Sequence, residues 1–278
     1  MNEENDIIFG YKVNSEENQI MKKRSYTVVK SNILIQNARF QLSLFEQKLL
    51  VYIIAQIKPD DTELKRYTIS IKEFCRVCGI DYKNGGNYAY IKKTIEKMAQ
   101  RFMWINISEN NVQKETMIRI IERPYISKQS GTIEIKLDEV MQEYLLFLKN
   151  TGNFTIYDAI FSLPMTSSYS MRFYELFKSY ANQGIIRISV KKLREILMLD
   201  KKSYDRWSNL KSRILDVAIS EINEKTDIDV RYKTSRKERK IDYITFLITN
   251  KGTDDTLLIW KQNQKILNKE IDNDNDDL

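Results

Sequence analysis

The order of apolar and polar positions predicts a set of helices and strands that occurs twice along the chain. Helices are indicated by apolar residues at three- and four-residue spacing, and strands by alternation. The first set predicts a helix at 43–57, a strand at 67–71, helices at 72–78 and 88–99, a hairpin with strands 102–107 and 116–121 around a polar turn at 108–115, and a closing strand and helix at 132–137 and 138–148. The second set predicts a helix at 168–181, a strand at 186–190, helices at 191–199 and 207–218, and a hairpin with strands 228–233 and 241–248 around a polar turn at 234–240.

The two sets are related by an internal repeat with a constant offset. Residues 69–74 (ISIKEF) reappear as 188–193 (ISVKKL), 119 positions later. The same offset aligns the apolar stripes of two helices, namely Tyr88, Ile91, Ile95, Met98 and Ala99 with Trp207, Leu210, Ile214, Val217 and Ala218. A helix-turn-helix followed by a β-ribbon is a winged helix. We therefore expect a helix-rich α+β fold of two tandem winged-helix domains related by an internal repeat.

The turn at 149–153 (KNTGN) is the expected domain boundary. It gives an acidic N-terminal tail at 1–25, an N-terminal winged-helix domain at 26–150 and a C-terminal one at 151–250. An acidic C-terminal tail follows at 251–278, in which 254–267 carry enough apolar residues to form a helix.

The charge distribution points to a polyanionic partner. The net charge of the chain is +7, but residues 1–20 and residues 269–278 each carry a net charge of −4. The part between them, 21–268, holds 43 basic against 28 acidic residues, a net charge of +15. A basic body favours nucleic acid, and the acidic tails would weaken non-specific contact.

The composition excludes several classes of protein. The chain of 278 residues contains no histidine, which excludes His-dependent nucleophiles and the His metal site of rolling-circle nickases. No glycine precedes a lysine, so the P-loop of nucleotide-driven helicases is missing. The longest apolar run, 49–55, is far shorter than a membrane span of ~20 residues. The N-terminus is acidic where a signal peptide would be basic. We expect a soluble cytoplasmic protein without cofactor, metal or membrane partner, and not an enzyme.

The faces opposite the two apolar stripes are candidate DNA-reading surfaces. Arginine and asparagine side chains suit the edges of guanine and adenine in the major groove, although an ordinary solvated helix face would look similar. The first face holds Asn87, Tyr90, Lys93, Thr94, Lys97 and Arg101, and the second holds Lys202, Arg206, Asn209, Ser212 and Arg213, with Lys211 nearer the apolar stripe.

The second predicted hairpin ends in a strongly basic tip. Four bases, Arg236, Lys237, Arg239 and Lys240, surround Glu238. On a wing they would clamp phosphates. They would equally keep a hairpin edge from pairing with other chains, and the two roles are compatible.

Two features of the sequence could indicate metal binding or catalysis, but another interpretation is better for each. Cys75 and Cys78 form a Cys-x-x-Cys pair, but they lie in a predicted helix with no second pair or histidine to complete a zinc site. Tyr90 would need a metal site nearby to cleave DNA, so a contact residue is the better interpretation.

Several local strings resemble one known family over about residues 26–250. The N-terminal strings are Ser31-Asn32, Leu42-Ser43 and 46–50 (EQKLL). The C-terminal strings are Phe154-Thr155, 169–176 (YSMRFYEL), Tyr204, 210–215 (LKSRIL), 221–223 (EIN), Thr226 and Phe246. In these the chain resembles the Rep_3 family of iteron-binding plasmid replication initiators.

The resemblance implies a function that spacing alone does not. Members of the family bind tandem origin repeats (iterons) as double-stranded DNA, with one recognition helix of each winged helix in successive major grooves. They open the adjacent A·T-rich DNA and recruit the host replication initiator and replicative helicase. Many form homodimers through the N-terminal domain, in equilibrium with monomers, and repress their own promoter. The chain departs from the family at Glu238, where a glycine is common in the wing tip, and at Ser212, which is often basic.

Two other functions remain to be weighed against initiation. A winged-helix transcriptional repressor without a replication role would share the fold. A tyrosine-dependent nicking enzyme is disfavoured because histidine is absent.

Overall fold

The computed structural model describes residues 7–8, 11–12, 27–58, 61–78, 87–109, 112–148, 152–199 and 204–268. Most of the predicted N-terminal tail lies outside these residues, apart from the antiparallel pair β1 (Ile7–Ile8) and β2 (Tyr11–Lys12). The first unit consists of β3 (Thr27–Ser31), α1 (Asn32–Asn37), α2 (Leu44–Ile54), β4 (Arg66–Ser70), α3 (Ile71–Cys78), α4 (Asn87–Met98), β5 (Phe102–Glu109), β6 (Val112–Arg119), β7 (Tyr125–Ser127), β8 (Thr132–Lys136), a 3₁₀ turn (Glu139–Met141) and α5 (Gln142–Leu145).

The second unit repeats the order of the first. It consists of β9 (Phe154–Asp158), a 3₁₀ turn (Ala159–Phe161), α6 (Ser168–Lys178), β10 (Ile185–Ser189), α7 (Val190–Ile196), α8 (Trp207–Leu210), a π turn (Lys211–Leu215), α9 (Asp216–Lys225), β11 (Ile228–Lys237), β12 (Lys240–Asn250) and α10 (Thr253–Asn268). The predicted α+β fold with two winged helices related by an internal repeat is confirmed.

Helix α2 begins where its sequence places a complete N-terminal cap. The Ser43 hydroxyl accepts from the Glu46 backbone N–H, and the Glu46 carboxylate accepts from the Ser43 N–H at 2.6 Å. This capping box pairs two backbone donors that the first helical turn would leave without partners. Almost the whole circumference of α2 is buried, so the first unit packs around it.

The predicted hairpins are right in position but too short. Strands β5 and β6 continue to Glu109 and Val112, and β11 and β12 meet across a two-residue tip. In the second wing every side chain from Lys233 to Lys240 is exposed, so the alternation of buried and exposed positions ends before the backbone hydrogen bonds do. The predicted helix at 138–148 is also only partly right, since a 3₁₀ turn precedes the four-residue α5.

The sheets of the two units differ in one connection. In the second unit, β10 pairs with β12, so the strand before the helix-turn-helix joins the wing. In the first, β4 pairs with β8, and β5–β6 forms a separate two-stranded ribbon.

A two-stranded sheet and buried charges connect the units across the predicted boundary. Strand β3 pairs along its whole length with β9. The Lys30 ammonium on β3 is paired with the Glu175 carboxylate on α6, which also accepts from the Tyr157 hydroxyl at 2.5 Å. A guanidinium nitrogen of Arg172 lies 3.7 Å from the same carboxylate. Burial alone would raise the pKa of Glu175, but Lys30 and Arg172 lower it below its usual value.

No helix among the described residues is long and apolar enough to cross a membrane.

Candidate nucleic-acid interface

Helix α4 buries one stripe and leaves basic and aromatic residues on the opposite face. Ile91, Ile95 and Met98 are buried, as the periodicity predicts. Tyr90, Lys93 and Lys97 are exposed.

Thr94 corrects the predicted first face. Its side chain is only 7% exposed, and its hydroxyl donates to the Tyr90 carbonyl at 3.0 Å. It lies next to Met98 on the helical wheel, at the edge of the apolar stripe, so its small side chain is covered when the stripe packs. The placement of Thr94 on the free face is wrong.

Tyr90 is anchored by its ring and keeps its proton. The ring meets Phe45 edge-on, with centroids 5.4 Å apart. Partial burial raises the pKa of the phenol. A protonated, positioned hydroxyl is suited to donating a hydrogen bond and is a poor nucleophile.

Arg101 lies just beyond α4 and is partly engaged within the protein. Its Nε lies 3.3 Å from Oε1 of the buried Glu46, the residue that closes the cap of α2. Asn87 is the first residue of α4, but its side chain, like all of Lys202, lies outside the described residues.

The second recognition segment contains a π turn that the sequence pattern did not predict. Arg206 precedes α8, and Lys211, Ser212 and Arg213 lie on the π turn, all four exposed. Asn209 is half-buried. The π turn adds one residue to a helical turn and so rotates every later position.

This rotation explains why one residue that the sequence predicts in the core is exposed. Val217 was expected in the apolar stripe but is 47% exposed, and Leu215 is buried instead. π turns occur frequently at functional sites, and this one carries three of the predicted DNA contacts.

Two residues of the π turn already have partners. The Lys211 ammonium donates to Asp216 Oδ2 at 2.6 Å, and this contact raises the pKa of Lys211. Tyr232 on the wing donates to the other oxygen of Asp216 at 2.8 Å. The Ser212 hydroxyl donates to the Ser208 carbonyl at 2.9 Å.

The second wing presents its basic tip to solvent. Arg236, Lys237, Arg239 and Lys240 are all exposed. Glu238 has a φ of +55°, the left-handed conformation that glycine would adopt without strain. The register shifts between Ser235 and Arg236, so a bulge redirects the tip.

The outer face of the second sheet adds basic residues that were missed. Arg231 and Lys233 on β11 and Arg187 on β10 are exposed, and Lys233 and Arg187 flank Thr245 of β12 from opposite sides. The Arg187 guanidinium lies 4.5 Å from the Tyr243 ring centroid. The period-two alternation of β11 could have identified the first two.

The Cys-x-x-Cys pair lies in α3, as predicted. Cys75 and Cys78 are reduced and buried, and burial raises the pKa of the Cys78 thiol far above its usual value. Among the described residues, no group of three or more His, Cys, Asp or Glu side chains could hold a metal ion.

Two helix-turn-helix units with exposed basic helices define a protein with two DNA-binding winged-helix domains. Family models agree: "Initiator Replication protein, WH1" matches residues 27–178, and "Initiator Rep protein, WH2" matches residues 189–248. The chain belongs to the Rep3 family of replication initiator proteins. The first model extends past residue 150, the boundary that the sequence predicts and that stays a prediction.

A solved structure shows the same fold. The crystal structure of Pi initiator protein in complex with iteron DNA is similar with a TM-score of 0.64 and 22% identity, over 82% of this chain and 99% of that one. At this identity the likeness establishes the fold alone. The WH1 domain of a replication protein isolated from a multiple sclerosis patient matches 36% of this chain and 75% of its own, at 16% identity and a TM-score of 0.30, which is too low to support an argument.

Proposed function

We propose that the protein initiates plasmid replication by binding double-stranded origin repeats, the iterons, through both winged helices. The observation that carries the proposal is the presence of two basic helix-turn-helix units in one chain of the initiator family. The crystal structure of the similar Pi initiator protein contains iteron DNA.

The proposed contacts fall into two groups by chemistry. Side chains of the two recognition segments would reach base edges or flanking phosphates, and the wing tip would hold phosphates. The first group comprises Asn87, Tyr90, Lys93, Lys97, Arg101, Lys202, Arg206, Asn209, Lys211, Ser212 and Arg213, and the second comprises Arg236, Lys237, Arg239 and Lys240. The structure does not describe Lys202 or the side chain of Asn87.

Lys211 and Arg101 could contact DNA only by giving up a partner within the protein. Each is held by a carboxylate of the protein, Asp216 or Glu46. A phosphate would have to replace that carboxylate as partner. We therefore expect weaker contributions from these two than from Arg213 or Arg206.

The remaining steps follow from the proposed role. Binding of the repeats would open the adjacent A·T-rich DNA and recruit the host replication initiator and replicative helicase. A homodimer formed through the N-terminal domain would repress the protein's own promoter. None of these steps requires a covalent reaction.

A replication assay tests the proposal. The gene and its flanking DNA are placed on a marker fragment that has no other origin, and transformants are counted in a host that the donor plasmid inhabits. We expect transformants that disappear when direct repeats of about 20 base pairs are deleted. Wild-type fragments that do not replicate, combined with repression of a reporter through an inverted repeat, would identify a repressor instead.

A further inference from the structure

Helix α10 has no counterpart in the described part of the first unit, and it lies beyond the family models. The second model ends at residue 248, and α10 runs from Thr253 to Asn268. Its buried side chains, Thr256, Trp260, Asn263 and Leu267, follow steps of four, three and four residues along one face. A helix of 16 residues is ~24 Å long, so it can reach from one unit to the other.

The middle of α10 is fixed to the junction and to the second recognition segment. Trp260 Nε1 lies 3.2 Å from Oδ2 of the buried Asp158, at the end of β9. The buried Asn263 side-chain amide donates to the Ile160 carbonyl at 3.1 Å and to the Lys225 carbonyl at 2.8 Å. Lys225 is the last residue of α9, which continues the second recognition helix through the π turn.

The far end of α10 packs on the first helix-turn-helix. Leu267 is only 5% exposed and belongs to the core, and its carbonyl lies 3.4 Å from Nη1 of Arg76 on α3. Helix α3 precedes the first recognition helix in the chain. One rigid element therefore contacts the first helix-turn-helix, the junction and the second recognition segment.

We propose that α10 is a strut that fixes the spacing and orientation of the two recognition helices, with Leu267 and Asn263 as its positioning residues. This rests on the proposed function, in which both helices engage one duplex. When two binding units are held in the bound arrangement, engagement of the first makes the second effectively intramolecular. Without this strut, each unit still folds and binds its own half of a repeat, but the affinity gained by linking the two units decreases.

Adjacent residues of α10 provide matched variants. Leu267→Ala keeps the carbonyl that faces Arg76 but truncates the buried side chain that anchors this end of α10 in the core. Ile266→Ala changes a neighbouring apolar side chain that is 45% exposed. Asn263→Ala removes the two amide hydrogen bonds, and Gln262→Ala alters an exposed amide one position earlier. All four variants retain the full chain.

The first readout needs no DNA. Spin labels are attached to Thr68→Cys on β4 and Lys191→Cys on α7, both exposed positions, while Cys75 and Cys78 stay unlabelled because they are buried. Leu267→Ala and Asn263→Ala should broaden the distance distribution between the labels, and both controls should match the parent. If the distance distributions of both test variants match the parent, the proposal that α10 fixes the two units is wrong.

The second readout separates positioning from folding. Affinity is measured for a duplex that carries a whole repeat and for each half of it. Both test variants should lose about tenfold on the whole repeat and keep their affinity for the halves. Equal loss on all duplexes would mean that α10 acts only through stability, which overturns the proposal. If the parent protein does not prefer the repeat over a shuffled duplex, the proposed function fails, whereas the label distances still decide whether α10 fixes the units.

Discussion

Glu175 is the residue on which the buried junction between the units depends. Its carboxylate is the only acid that we find within ion-pair distance of both Lys30 and Arg172 among the described residues, and it also accepts from Tyr157. Arg172 in turn donates to the Ala38 carbonyl at 3.1 Å and lies over the Phe40 ring. Breaking one partner of such a group leaves charges buried without compensation.

We expect Glu175→Gln to destabilise the protein by about 3 kcal/mol at neutral pH, because two buried cations lose their counter-ion. The pKa of Glu175 is lowered in the folded state. The ionised carboxylate therefore makes its full contribution to the free energy of unfolding above the usual glutamate pKa, about 4.3. This contribution is lost as the pH falls through the pKa that Glu175 has in the folded protein.

Urea unfolding between pH 7 and pH 3 tests this, with Glu143→Gln as a control at an exposed glutamate. The difference between wild type and Glu175→Gln should shrink as the pH falls below 4. A difference that is independent of pH would show that the charge of Glu175 contributes nothing and that only its packing matters.

At the scale of elements, the wing tip carries a local strain that its sequence reveals. Glu238 occupies a left-handed conformation that costs an L-residue roughly 1–2 kcal/mol. Glu238→Gly should raise the free energy of unfolding by up to about 1 kcal/mol, since the greater entropy of an unfolded glycine offsets part of the relief. Thermal and urea unfolding measure the change, with Glu238→Asn expected in between. Destabilisation by glycine would show that the Glu238 side chain holds the tip.

The helices and strands were largely predictable, and the faces of the recognition helices were not. Ile91, Ile95 and Met98 are buried as the periodicity required, and β4, α3, β10 and α7 keep the 119-residue offset. The π turn has no signature in the apolar pattern, so Val217 was misplaced. Thr94 lies at the edge of the stripe, and periodicity does not say how far the covering elements extend. The Asp216–Tyr232 contact depends on the wing, which periodicity along one helix does not contain.

At the scale of the whole molecule, the relation between the units comes from contacts distant in sequence. The β3–β9 pairing joins residues more than 120 positions apart, and Arg76 meets Leu267 across 191 positions. Local patterns predict each winged helix but not how the two are held. The charge pattern is informative at this scale, because the net +15 of the body matches a polyanionic partner.

Sequence-specific DNA binding is tested most directly by measuring the affinity of the protein for DNA that flanks its own gene. The comparison is a shuffled duplex of the same length, and both are measured between 50 mM and 200 mM salt. We predict a preference of at least about 10³-fold and a steep fall of affinity with salt. Replacing Arg236, Lys237, Arg239 and Lys240 with alanine should flatten the salt dependence and weaken binding to both duplexes. Equal affinity of the wild-type protein for the two duplexes at every salt concentration would contradict sequence-specific binding by the two winged helices.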